Sequence, residues 1–546
     1  MLKKLLLVLY LITTLFGFSQ NTVGTISITE DVFEAYTLFS VYNKSYLINN
    51  CGEVINQWNS NYPPGNAVYL LPNGNLLRAG RLDQSITDIV IGGRGGIIEL
   101  YDWDDNLLWS YTYSGIGFSH HHDIYPLPNG NILMLAITIM SESEAIQAGR
   151  NPALLDDGEL YNEQILELEP VGTNQANIVW EWNIKDHLIQ DFDITKDNFG
   201  IVEDHPQRLD VNFLNGNSPR NNWLHVNSIQ YDETRDQIIL SSRLLSELWI
   251  IDHSTTTAEA ASSSGGVYGN GGDFLYRWGN PEAYRQGTNI DRKLFGQHTP
   301  YFIPPGLPNE NKILLFNNGI NRSPSFSQVD IISPPETSLG VYNYVSGTSY
   351  LPTNTDFTYT DFSSNPSEFF SGIVSNAQQL PNGNILVCEG AESYFFELDA
   401  NENKVWEYRN PVNNNNGTIS NQFDPPPIGS PTFRAVKYPP NYPAFTGRDL
   451  TPGLSIEGNP NLAPCNNLSV PNFEDNTVSL YPNPTSNMVY IKTLRPIDKV
   501  EVYDIIGNII LITESREIDL SNYSEGIYFF KIYNSLGILS NKIIKN

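Results

Sequence analysis

The chain has 546 residues and a formal net charge of −29, with 31 Lys and Arg against 60 Asp and Glu. That balance excludes nucleic acid and anionic membrane as general partners, and an anionic substrate would need a cationic pocket of its own. Length alone implies two or more domains, and 30 Tyr, 25 Phe, 9 Trp, 41 Gly and 35 Pro suit an all-β protein of aromatic strands and many turns.

Residues 1–19 carry Lys3 and Lys4, then an apolar run, then the small residues Gly17 and Ser19. This is the order of a secretory signal, expected to be cut after Ser19. No other stretch is long and apolar enough to span a bilayer. The 3 Cys, Cys51, Cys388 and Cys465, allow one disulfide and one free thiol. Cys388 inside ILVCEG reads as a small buried apolar residue, and a Cys51–Cys465 bridge would tie together the ends of the repeat region. None of the spacings is that of a zinc site.

Strand-like stretches fill residues 26–58. From Asn66 a hairpin then recurs: NAVYLLPNGNLLRAG, HDIYPLPNGNILMLA from His122, HVNSIQYDETRDQIILSSR from His225, HTPYFIPPGLPNENKILLFNN from His298, and SNAQQLPNGNILVCEG from Ser375. LPNGN stands at 71–75, 127–131 and 380–384, where Asn-Gly after Pro supplies the positive φ of a tight turn. An outer hairpin follows each inner one, and four copies end on a Trp: Trp109, Trp182, Trp278 and Trp406. Four strands per repeat with a periodic aromatic predict propeller blades. Five full repeats, with a sixth inner strand in PTFRAVKYPP near 431–440 completed by the N-terminal strands ending at Trp58, predict a six-bladed β-propeller over 20–460, closed by both termini. Inserts at 137–160 and 183–222 are expected over its mouth. A linker is expected at 461–475, and about seven short alternating strands over 476–546 predict a small C-terminal β-sandwich.

The repeat places chemistry. His122, His225 and His298 share the starting position of three copies, and the strand-end position holds Gly80, Ala136, Arg243, Asn318 and Glu389. A cyclic repeat brings equivalent positions around one axis, so three imidazoles and a cation converge. His225, Asn227 and Arg243 at one sheet edge form an anion site. A lone His at a strand start is most often a packing residue, and three at one repeat position argue against that. His121 points to the other strand face and is expected to support the ring. His122 precedes Asp123, a setting that suits a hydrogen-bonded, protonated imidazole. His298 precedes Thr299-Pro300 with no carboxylate close in sequence, so it can be neutral and attack. Arg322 follows ILLFNNG and either braces the pocket or lies on the surface. Glu389 could pair with a His or an acceptor hydroxyl. His187, His205 and His253 fall outside the ring and read as packing residues. The carboxylates of YDWDDN resemble a calcium loop, but LDANENK fills the same slot in another copy, so both read as hairpin turns.

Two resemblances follow. YPNP at 481–484, VYD at 502–504, GIY at 526–528 and the closing SNKIIKN resemble the type IX secretion system sorting domain, which implies the type IX machinery as partner and a secreted or cell-surface protein. HHDIYPLPNGNIL, WLHVNSI with ILSSR, GQHTPYF with ILLFNNG, and ILVCEG with VWEY resemble the arylsulfate sulfotransferase family. That resemblance implies a six-bladed propeller that moves a sulfuryl group from an aryl sulfate to a phenolic acceptor through a sulfohistidine, with no cofactor or metal. It matches His298 to the nucleophile, and His122, His225, Asn227 and Arg243 to the sulfuryl-binding set. There is no C/S-x-P-x-R motif of a type I sulfatase and no GxxxxGK nucleotide loop. A non-catalytic propeller binding glycan or protein, or a hydrolase using the same His with water as acceptor, stays open as an alternative.

Overall fold

The computed structural model describes residues 21–361, 368–466, 479–493, 496–534 and 537–546. The expected signal segment and residues 467–475 of the expected linker lie outside the described residues. The chain divides at residues 468/469 into two compact units.

Among its described residues, the first unit holds six antiparallel sheets of four or five strands. Blade 1 is Tyr36–Val41, Lys44–Ile48 and Val54–Asn59, with Ala435–Tyr438 as its innermost strand. Blades 2 to 6 begin with the inner strands Pro64–Leu70, Phe118–Pro126, Val226–Asp232, His298–Phe302 and Asn376–Gln379. The C-terminal inner strand therefore completes a sheet built from the N-terminal segment, Tyr36 facing Tyr438 and Phe39 facing Ala435. One N-terminal strand goes elsewhere: Gly24–Ile28 pairs with Lys404–Arg409 and forms the outer edge of blade 6. The ends are thus stitched into two adjacent blades. Cys51 and Cys465 form a disulfide, their Cα atoms 5.8 Å apart, and Cys388 is a buried free thiol.

The second strand of every blade is apolar without alternation because both of its faces are buried. Consecutive residues feed opposite cores: Leu76 packs toward blade 1 and Leu77 toward blade 3. Met134 and Leu135, Ile238 and Ile239, Leu314 and Leu315, and Leu386 and Val387 divide in the same way. Six cores therefore alternate with six sheets around a closed ring. Outer Trp residues tie five of the six sheets to the next. The Nε1–H of Trp58 donates to Asp102 O (2.7 Å), of Trp109 to Gln175 O (2.8 Å), of Trp182 to Gly272 O (2.8 Å), of Trp278 to Pro352 O (2.8 Å) and of Trp406 to Asn50 O (2.7 Å).

In the LPNGN turns the positive φ of the Asn-Gly pair falls on the glycine. Only the glycines are left-handed, with φ of 89° at Gly74, 90° at Gly130 and 97° at Gly383. Each Asn acts through its side chain instead, Asn73, Asn129 and Asn382 accepting the N–H two residues on. This is a type I turn followed by a left-handed glycine. Asp102 and Asp399 likewise cap their own turns through Asn106 and Asn403.

The second unit has seven strands among its described residues, in sheets of three and four. They enclose Val489, Ile491, Val500, Val502, Ile518, Phe530 and Ile532, a small β-sandwich.

His253 ties two blades together: its Nδ1 lies 2.7 Å from Asp236 and its Nε2 3.0 Å from Glu167. Burial alone would lower its pKa, but the two carboxylates outweigh burial and push it up from 6.5 to about 9. A raised pKa stabilises the fold below the unfolded value and the gain is lost as pH rises through the folded one. Wild-type protein is expected to lose melting temperature between pH 6.5 and about 9 more steeply than His253→Gln. Parallel curves would show that this pair does not contribute.

Candidate active site

The inner strands are bulged where they start. Ladder register shifts between Pro64 and Val68, His120 and Ile124, Val226 and Ser228, and His298 and Tyr301. Left-handed residues lie at these starts: Asn66 (φ 91°), His122 (49°), His225 (50°), Thr299 (51°) and Ser375 (89°). Bulges and left-handed non-glycine backbone re-aim side chains and concentrate at functional sites. The blade 5 position is offset by one residue: His122 and His225 are themselves left-handed, whereas His298 precedes the left-handed Thr299. His298 thus enters the site from extended backbone, unlike the other two.

The rings of His122 and His225 meet edge to face, 4.7 Å between centroids. Arg243 follows strand Gln237–Ser242, its backbone N–H donating to His225 O (3.2 Å). Burial first, then Arg243, pushes His298 down to about 3. Burial first, then Arg243 and the neighbouring imidazoles, holds His225 well below the ordinary range. For His122 the causes are burial, then His225, His121, His298 and Arg243. The setting expected for a protonated His122 is therefore absent: Asp123 is committed to Arg434, whose Nη2 lies 2.7 Å from its Oδ2. Arg434 also donates to Tyr69 OH (2.5 Å), and Ile229 N–H donates to Asp123 (3.1 Å). These groups cross-link the inner strands of four blades.

A forced hydrogen bond fixes the tautomer of His298. Asn318 spends both amide hydrogens on carbonyls, those of Ser371 (2.6 Å) and Val374 (2.9 Å). Its Oδ1 must therefore accept, and it lies 2.7 Å from His298 Nδ1. The proton of neutral His298 sits on Nδ1 and the lone pair on Nε2. At His225, Nδ1 lies 3.0 Å from Asn222 Nδ2, but the Asn222 oxygen is buried without a partner among the described residues, so this amide, unlike that of Asn318, is not pinned in one direction. Asn227 gives one amide hydrogen to Gln297 O (2.8 Å), beside His298.

The segment Gly92-Gly93-Arg94-Gly95 covers the imidazoles. Gly93 O accepts from His122 N (2.6 Å), and a Cβ on Gly93 would fall 2.2 Å from the His122 ring. With φ of 69° as well, only glycine fits there. Insert 183–222 reaches the same place through Asn222 and Arg220, whose charge acts on both His225 and Arg243.

His121 lies beside His122, their Nδ1 atoms 2.9 Å apart. Two expected residues lie apart from this cluster. Arg322 is held between Phe295 and Phe326, its guanidinium 4.6 and 4.5 Å from the ring centroids, where stacking stabilises a half-buried cation that also feels the charge of Asp330. Glu389 accepts from Phe370 N (3.1 Å) and lines a separate cavity of about 650 Å³ with Glu392, Tyr394, Lys404 and Arg409. Burial there pushes it up to about 7. Asn318, Asn222, Arg220 and the glycine segment were not singled out in the sequence. Of these only Asn318 carried a signal, since it occupies the strand-end position of its repeat.

The arylsulfotransferase (ASST) family model matches residues 39–424, well over half the chain, and the chain belongs to that family. A secretion system C-terminal sorting domain matches residues 479–546, which marks the protein for export by the type IX route to the medium or the cell surface. No curated protein matches. Among solved structures the chain is similar to a protein of unknown function from Bacteroides caccae (12% identity, 69% of this chain and 93% of that one, TM-score 0.36). It is also similar to virginiamycin B lyase from Staphylococcus aureus (10%, 72% and 90%, 0.32) and to a streptogramin B lyase (9%, 77% and 99%, 0.32). Family membership gives sulfotransferase-type activity on small molecules.

A carboxylate at 318 would hold a charged imidazole where the amide does not. In Asn318→Asp the His298 ring is expected to titrate well above the wild-type value of about 3, read by imidazole NMR. An unchanged titration would show that Asn318 does not set the state of His298.

Proposed function

We propose that the protein is an exported arylsulfate sulfotransferase in which His298 carries the sulfuryl group between an aryl sulfate donor and a phenolic acceptor. The observation that carries this reading is the hydrogen bond from His298 Nδ1 to an Asn318 that cannot donate back. It leaves a neutral imidazole with its Nε2 lone pair free beside Arg243, the form a nucleophile needs.

Sulfuryl transfer has a loose transition state, by analogy with phosphoryl transfer, with charge on the equatorial oxygens and on the leaving phenolate. His298 Nε2 attacks sulfur, an N–S bond forms and the S–O bond to the aryl group breaks. Arg243 offers a planar fork to two oxygens, and His225 Nε2–H and the second Asn227 amide hydrogen offer donors to the third. His122 protonates the departing phenolate. In the second half the acceptor phenol gives its proton to His122, attacks sulfur, and the N–S bond breaks. Supporting this set is the net charge of −29: an acidic protein that gathers Arg220 and Arg243 at one buried imidazole cluster is built to admit an anion there.

Release of 4-nitrophenol from 4-nitrophenyl sulfate should be accelerated by added phenol. Release indifferent to phenol would mean a hydrolase, and no release would favour a binding module. Arg243→Lys keeps the charge but loses the fork, and kcat/KM is expected to fall by about 100-fold or more with the fold intact. Near-native turnover in that variant would remove Arg243 from the oxygen-binding set.

A further inference from the structure

Behind His122 lies a chain of buried groups that the transfer scheme above does not use. His121 Nδ1 is 2.9 Å from His122 Nδ1, and His121 Nε2 is 3.0 Å from Glu163 Oε2, an ion-pair contact without hydrogen-bond geometry. His121 is wholly buried and Glu163 is 3% exposed. Glu163 stands in strand Glu159–Val171, the third strand of the blade that carries His122. Its other oxygen accepts from Val226 N (2.9 Å), one residue from His225, so the carboxylate is held on both sides. With Nδ1 of His122 occupied by His121, the ring nitrogen left for the site is Nε2, which lies against Gly93 beside His225.

We infer that Glu163 and His121 form a proton relay that sets and resets the acid–base state of His122. The inference rests on the sulfotransferase reading and names residues that reading leaves out. A buried carboxylate beside an imidazole favours the imidazolium. With His121 charged, both of its nitrogens bear protons: Nε2–H faces Glu163 and Nδ1–H donates to His122 Nδ1. His122 is then neutral with its proton on Nε2, directed at the leaving oxygen. When the S–O bond breaks, the phenolate takes the Nε2 proton, and His122 Nδ1 takes the Nδ1 proton of His121. His121 ends neutral, its Nε2–H still beside the Glu163 carboxylate. The net change is one proton from His121 to the phenol, and attack by an acceptor phenol runs the same transfers in reverse. No oxidant, metal or further reactant is required. Burial disfavours a positive charge on His122 itself, and the relay sets a carboxylate one residue further back.

The relay matters only when the leaving group needs a proton. Initial transfer rates would be compared for two donors, 4-nitrophenyl sulfate, whose phenolate leaves readily, and phenyl sulfate, whose phenolate is far more basic. Glu163→Gln keeps the shape and the acceptor for Val226 N–H but removes the charge. Turnover of phenyl sulfate is expected to fall by about 100-fold, while 4-nitrophenyl sulfate changes by less than about threefold and serves as the control for folding. His121→Gln should give the same donor-dependent pattern, and it decides the matter by the same ratio if Glu163→Gln does not fold. Equal losses for both donors, or no loss for either, would overturn the relay while leaving the sulfotransferase reading standing. No turnover of any aryl sulfate by wild-type protein would overturn that reading, and the relay with it.

Discussion

The chemistry of the site depends on one hydrogen bond whose direction is forced. Asn318 has two amide hydrogens, and both are taken by backbone carbonyls of the segment leading into blade 6. Its oxygen can only accept, so His298 must donate through Nδ1. That single constraint turns an ambidextrous imidazole into one with a defined lone pair. Neutral partners suit this place, since burial and Arg243 already disfavour the imidazolium, and a carboxylate would restore it.

Such orientation is useful only if residues far apart in sequence are held together, and the closed ring of blades does this. Each sheet shares an apolar core with the sheet on either side, so no blade can shift without disturbing both. The Asp123–Arg434 pair, with Tyr69 and Ile229, adds polar cross-links beneath the imidazoles. The local cost is borne at the strand starts, where His122 and His225 adopt left-handed backbone. Non-glycine residues hold that conformation only when their surroundings over-determine it, and here a bulge, a glycine segment and a neighbouring ring all press on the same residue.

Much of this could be read from the sequence because it repeats. LPNGN fixed the hairpins, the outer Trp residues marked the blades, and equivalent positions predicted that His122, His225 and Arg243 would converge. What could not be read has a physical reason in each case. The one-residue offset at His298 arises from a bulge, which register counting does not see. Glu389 occupies the strand-end position but faces a different cavity, since a repeat position fixes the Cα and not the side chain. Arg322 is taken by two aromatic rings, one from its own loop and one from the segment before His298. The covering glycines lie between strands, outside the hairpin pattern, and become informative only once the ring of His122 is seen against Gly93. Asp123 looked like a partner for His122 by adjacency, yet a cation from the far end of the chain claims it.

The central claim is that His298 Nε2 becomes covalently sulfated. The most direct measurement is intact-mass and peptide-mapping mass spectrometry of the protein mixed with an aryl sulfate in the absence of acceptor. A sulfuryl-sized adduct is expected on the peptide containing His298, lost in His298→Ala and discharged by added phenol. An adduct that maps to His122 or His225, or that persists in His298→Ala, would contradict it.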